Sequence, residues 1–180
     1  MIRSAVALLR GINVGGNNPI RMPDLVACVT DAGFDDVRTH QQSGNVLFTV
    51  SDKRLRVAER TIETALEKRF RVAIPAIVRS RDELSEIVAR APADHGSPEL
   101  RSEVIFLKRP LTAEDVLAQL PELREGVDAV APGPGAIYFS RVAARATKTR
   151  ITRLMAMPLF QQMTMRSWRT TTRLLELLEA

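Results

Sequence analysis

At 180 residues, 45% of them hydrophobic, the chain is long enough for one large domain or two small ones and apolar enough to build a core, which excludes a disordered chain. The apolar run from Ala5 to Leu9 is too short for a secretory leader or a bilayer span, so the sequence reads as a cytoplasmic protein with no membrane association. A lone cysteine, Cys28, excludes an internal disulfide; with only His40 and His95 as histidines no zinc-type metal site is expected, while oxygen-ligated magnesium stays open.

The first predicted element is a strand at about 4 to 10, apolar without alternation, as expected of a strand covered on both faces. A loop rich in glycine and asparagine follows, G-I-N-V-G-G-N-N-P, and then a helix that Pro23 and Asp24 open and Gly33 closes, with Cys28 as a buried thiol inside it. Strands are predicted at about 36 to 40 and 44 to 50, broken at Ser43-Gly44. Beyond Ser51 a long amphipathic helix carries Leu55, Ala58, Ile62, Ala65, Leu66 and Phe70 on one side, and A-I-P-A-I-V-R forms the next strand. Ser80 and Glu83 have the spacing of a capping box for a short helix.

After the loop A-P-A-D-H-G-S-P-E the pattern restarts with a strand S-E-V-I-F-L-K and a helix begun by Thr112. A hairpin turning at P-G-P-G follows, then a basic helix from about 148 to 160, a strand at about 162 to 166 and a C-terminal helix. Both halves spell β-α-β-β-α-β. The expected architecture is therefore α+β, two decorated ferredoxin-like subdomains over 1–90 and 91–180, packed as one unit, without a convincing sequence repeat between them.

Charge is unevenly placed. From Ala129 to Leu175 there is no acidic residue but there are eight basic ones, which leaves 18 basic and 21 acidic residues elsewhere. A positive region of this kind suits phosphate, nucleotide or nucleic acid; the plainer alternative is an arginine-rich solvated surface.

Three constellations are candidates for chemistry. Glycines between a strand and a helix can bring backbone N–H groups to a phosphate. Gly11 and Gly16 have P-loop spacing, but Asn17 and Asn18 stand where Lys and Ser/Thr are required, and G-x-G-x-x-G is absent, so Walker-type and dinucleotide folds are excluded. A plain Gly/Asn turn needing positive φ is the competing reading. Ser43-Gly44-Asn45 presents a hydroxyl and an amide at a strand start, yet it lacks the G-x-S-x-G elbow, and His40 three residues earlier points to the opposite face. In M-T-M-R-S-W-R-T-T-T-R-L-L, Trp168 lies beside Arg166 and Arg169 at a helix start that Ser167 can cap, so it serves either an anion and a stacked base or the helix core in register with Leu175 and Leu178.

The segments A-L-L-R-G-I-N-V-G-G-N, T-H-Q-Q-S-G-N-V-L-F, I-V-R-S and M-R-S-W-R-T, in this order and spacing, resemble the uncharacterised bacterial family catalogued as domain of unknown function 1697. The resemblance implies two ferredoxin-like subdomains and no established activity. It marks Arg10, Gly11, Asn13, Gly15, Gly16, Ser43, Gly44, Asn45, Arg166, Trp168 and Thr170. The family's closing motif resembles R-N-W-N-T, where this chain has Ser167 and Arg169 in place of both asparagines, and Thr147-Lys148 stands for a Ser-Lys pair.

The leading expectation is a binding protein for a phosphate-containing anion, a phosphorylated metabolite or nucleotide. The Gly/Asn loop and Ser43 to Asn45 are expected to lie opposite Lys148 and Arg166 to Thr170. RNA ranks behind, because eight aromatic residues do not supply the stacking pairs of an RNA-binding sheet. The rival readings are an enzyme on a phosphorylated or carboxylated small molecule, for which His40 is the one histidine placed to act as base, and a protein-interaction module. No catalytic residue, cofactor or oligomeric state follows from these residues.

Overall fold

The computed structural model describes residues 1–180. They divide into two compact units, Met1–Leu84 with Leu174–Ala180, and Ser85–Arg173. No helix is long and apolar enough to cross a membrane.

The first unit holds strands β1 (Ile2–Leu9), β2 (Asp35–His40), β3 (Asn45–Ser51) and β4 (Ala76–Ser80), all antiparallel in the order β2-β3-β1-β4. Helices α1 (Met22–Asp31) and α3 (Ala58–Phe70) cover one face, packing Leu25, Val29, Ile62 and Leu66 onto Ala5, Ala7, Leu9, Val46, Phe48 and Val78. The alternate residues Val6, Leu8, Leu47 and Ile77 are buried as well, which is why β1 shows no apolar-polar alternation.

The helix ends follow the local chemistry. Gly33 takes φ 91° after α1, and Arg54 donates from Nη2 to the Ala32 carbonyl at 2.8 Å and from Nη1 to that of Gly33, placing a cation on the negative end of the helix. The predicted long helix after Ser51 is two pieces, α2 (Asp52–Leu55) and α3, because Val57 leaves the helical region at φ −115° and ψ 8°. On α3, Glu59 and Glu63 accept from the N–H groups of Val78 (2.9 Å) and Ala76 (3.0 Å). One helical turn matches two strand residues, so two carboxylates satisfy the otherwise unpaired edge of β4. The capping box at the start of α4 (Arg81–Ala89) is present: Glu83 N–H donates to Ser80 Oγ at 3.2 Å, and Ser80 N–H to Glu83 Oε2 at 2.8 Å.

In the second unit β5 (Leu100–Leu107), β6 (Asp128–Gly133), β7 (Ala136–Val142) and β8 (Met163–Ser167) form an antiparallel sheet in the order β6-β7-β5-β8. Its helix-side core joins Ile105, Leu107, Ile137, Phe139 and Met163 to Val116 of α5 (Ala113–Leu117) and to Ile151, Leu154 and Phe160. The predicted basic helix at 148–160 is instead three short pieces, 3₁₀ turns at Ala143–Lys148 and Pro158–Gln162 on either side of α6 (Ile151–Met155). Asp128, from β6, explains part of the break, since its carboxylate accepts from Arg150 N–H at 2.8 Å and from Thr149 Oγ1. The last helix, α7 (Trp168–Glu179), ends in the first unit, where Arg38 Nη2 donates to the Leu177 carbonyl.

Both sheets have ferredoxin-like order, and their registers coincide. Val6 pairs with Leu47 and Arg79 as Val104 pairs with Tyr138 and Arg166. Leu9 N–H donates to the Gly44 carbonyl (2.8 Å) as Leu107 N–H does to that of Gly135 (3.1 Å), and Arg10 and Lys108 follow in matching places. Arg79 and Arg166 even share a conformation, each Nη1 donating at 2.9 Å to the carbonyl one residue before it.

Candidate functional site

Eight of the sequence-derived residues gather at one end of the first sheet, around the loop that leaves β1. Gly11, Asn13, Gly15, Gly16 and Asn18 all have positive φ, between 45° and 78°. Gly15 and Gly16 make the tip of a tight reversal with both central residues left-handed, closed by Asn17 N–H donating to the Val14 carbonyl at 3.0 Å.

Asparagine side chains hold this loop. Asn13 Oδ1 accepts from Ile20 N–H (2.8 Å), and Nδ2 donates to the carbonyls of Ile20 (3.0 Å) and Gln42 (2.8 Å). Asn18 Nδ2 donates to the Gly11 carbonyl at 3.1 Å. At the neighbouring turn Asn45 is fully buried, donating from Nδ2 to the His40 carbonyl (2.9 Å) and to Ser43 Oγ (3.3 Å). Gly44 takes φ 85° with Leu9 and Ile12 against its Cα, so that turn has no room for a side chain. His40 meets Asn45 across the strands and contributes its backbone carbonyl.

The loop tip differs from this packed base. A Cβ placed on Gly11, Gly15 or Gly16 would meet nothing within 4 Å, and the N–H groups of Gly15 and Gly16 find no acceptor in the chain. Arg10, at the root of the loop, is half-buried, and that burial holds its guanidinium pKa below the usual range.

Arg166, Trp168 and Thr170 belong to the second unit. Arg166 is buried in β8 beside Thr164 (Nη1 to Oγ1, 2.8 Å), and burial lowers its pKa to about 10. Ser167 caps α7 as expected, with Thr170 N–H donating to its Oγ at 3.1 Å and that Oγ donating in turn to Thr170 Oγ1 at 3.0 Å. Trp168 packs on the 92–99 loop, its ring edge-to-face with His95 at 4.9 Å and 89° and in contact with Gly96. Lys148 is exposed, and its carbonyl accepts from Arg124 Nε at 3.4 Å. No three His, Cys, Asp or Glu residues converge as a metal site would require.

Sequence reasoning singled out Trp168 but not the residues it stands on. His95 is buried between Trp168 and Tyr138, and its Nε2 lies 3.1 Å from the Glu103 carbonyl, an acceptor, so Nε2 carries the proton. Burial depresses its pKa, against a smaller upward pull from that hydrogen bond. The sign follows directly: the unfolded chain takes up a proton near the ordinary histidine pKa of 6.5, before the folded one does, so stability is lost as pH falls below it. The urea midpoint is expected to drop between pH 7.5 and 5.5, the unfolding free energy falling by at most about 1.4 kcal/mol per pH unit from this group. His95→Gln removes the proton and shrinks the difference from wild type over the same range. A constant difference would mean that His95 does not titrate.

The geometry defines a two-unit α+β protein whose halves are ferredoxin-like and whose first half carries an asparagine-pinned glycine loop. The family model described as "Protein of unknown function (DUF1697)" matches residues 2–138, and the chain belongs to that family. The match contains the glycine loop and the Ser43-Gly44-Asn45 turn and ends before Arg166. Among solved structures, that of conserved bacterial protein SP0830 from Streptococcus pneumoniae is similar in fold over 99% of each chain, with a TM-score of 0.85 at 23% identity. No curated protein matches the chain.

Proposed function

We propose that this protein binds a phosphate-bearing small anion, a nucleotide or phosphorylated metabolite, on the loop from Arg10 to Asn18. The observation that carries the reading is the pair of unmatched N–H groups at Gly15 and Gly16, with open space above both. Backbone donors on left-handed turns form concave anion sites, and the Asn13 and Asn18 hydrogen bonds set the loop beforehand, lowering the ordering cost of binding. Arg10 supplies the formal charge from a half-buried position, where a cation acts more strongly than at the open surface. Arg166, Trp168 and Thr170 have packing and capping roles in the second unit, and the reading does not draw on them.

The test is a thermal-shift panel of nucleotides, sugar phosphates, polyphosphate and short RNA on wild type and Arg10→Gln. A ligand at a hundred times its Kd adds about 2.7 kcal/mol, a shift of several degrees at this size. Arg10→Gln is expected to abolish the shift, measured from the variant's own ligand-free melting temperature. No shift with any compound, or an equal shift in the variant, overturns the reading. A response to RNA that falls steeply with salt would move the ligand from metabolite to nucleic acid.

A further inference from the structure

Beside the loop lies a hollow of about 360 Å³, within the size range of small-molecule sites. Asn13 lines it, so hollow and loop are contiguous. Its wall is apolar and stiff, made of Pro19, Ile20, Met22 and Pro23, and Arg21 and Gln42 complete it. Gln42 lends its backbone carbonyl to Asn13, and Arg21 its carbonyl to Leu25 N–H; neither side chain is engaged elsewhere in the chain. The hollow thus combines a rigid apolar shelf with one amide that offers both a donor and an acceptor.

We infer that the hollow receives the planar heteroaromatic base of a nucleoside 5′-phosphate, so that the anion of the proposed function is a nucleotide. This rests on the loop binding the phosphate. A flat π-face suits proline rings and a polarisable methionine thioether, and the edge of a base carries donors and acceptors that the Gln42 amide can meet. A sugar phosphate has no surface to cover the shelf, and its hydroxyls would give up water against Pro19, Ile20, Met22 and Pro23 without replacement partners. Arg21, on the same hollow, is free to approach the ligand's phosphate or the face of its base.

Calorimetric titration of the full chain with AMP, GMP, CMP, UMP, ribose 5-phosphate and adenosine separates the two levels. At least one nucleotide is expected to bind tenfold or more tightly than ribose 5-phosphate. Gln42→Ala, which keeps the carbonyl that Asn13 uses, is expected to erase most of that advantage while leaving ribose 5-phosphate unchanged. Met22→Ala is expected to weaken every nucleotide alike. If ribose 5-phosphate binds as well as the nucleotides, the base site is refuted and the anion loop stands. If adenosine binds as tightly as AMP and Arg10→Gln changes neither, the hollow stands and the anion reading fails. Binding by none of the six refutes the base site, and the wider panel then decides the anion loop.

Discussion

Gly96→Ala is expected to cost about 3 kcal/mol of stability, the largest loss foreseen for so small a change. An ideal Cβ on Gly96 would lie 2.3 Å from Trp168 Cδ1 and 2.4 Å from Nε1, inside any tolerable contact. Neither side can yield freely. Gly96 N–H donates to Ser102 Oγ at 2.8 Å and its φ is 85°, while Trp168 opens α7 with His95 against its ring. Overpacking of this kind costs about 1–3 kcal/mol, and the left-handed backbone adds roughly 1 more for any residue with a Cβ. Gly15→Ala is the control: φ is also positive, at 57°, but nothing lies within 4 Å, so only the backbone cost of roughly 1 kcal/mol remains. Urea unfolding followed by the emission of the single tryptophan reports both. Equal losses in the two variants would mean that Trp168 does not pack on Gly96 as described.

The contrast between these glycines shows where the sequence was readable and where it was not. Strand β1, the Ser80–Glu83 capping box and the Gly33 stop depend on residues within a few positions of one another, and all three are present as expected. Contacts between distant residues left no such trace. The segment at 148–160 has helical composition, but Asp128 draws off the hydroxyl and N–H at Thr149 and Arg150 from more than twenty residues away, and Pro158 starts a separate 3₁₀ turn. The continuous apolar period through Leu55, Ala58 and Ile62 concealed the break at Val57 in the same manner.

The shared topology of the two halves was legible, but their residue-by-residue equivalence stayed hidden for a different reason. Equivalent residues lie 98 apart from Val6 to Val104, 91 from Leu47 to Tyr138, and 87 from Arg79 to Arg166, so no single period aligns them. What the halves share is register, a buried arginine and a capping serine, and register is a property of hydrogen bonds, not of residue types. At the candidate site the glycine loop was legible as composition. The asparagines that fix it were not, because their partners are backbone groups as far away as Gln42.

Asn13→Ala tests that fixing directly and is expected to cost about 3 kcal/mol or more. The substitution removes one accepted and two donated hydrogen bonds. Ile20, 6% exposed, is left with an unpaired N–H and carbonyl, each worth about 1–3 kcal/mol where water does not reach. Gln42 is exposed, so its carbonyl recovers water at little cost, and alanine at φ 52° adds a strain of roughly 1 kcal/mol. Asn13→Gly removes the strain alone and should recover about that much. Asn13→Asp distinguishes hydrogen-bond direction from shape, since a carboxylate still accepts from Ile20 N–H but faces the Ile20 and Gln42 carbonyls with lone pairs instead of protons. Those carbonyls raise the carboxyl pKa of the folded variant above its unfolded value, so stability is present at acid pH and lost as pH rises through the raised pKa. A difference in urea midpoint between Asn13→Asp and wild type that does not change between pH 4 and pH 7 would show that the two carbonyls do not depend on the amide. The same variants should weaken whatever ligand the loop binds by more than their stability loss explains, because a loop that is no longer set in advance must be ordered during binding.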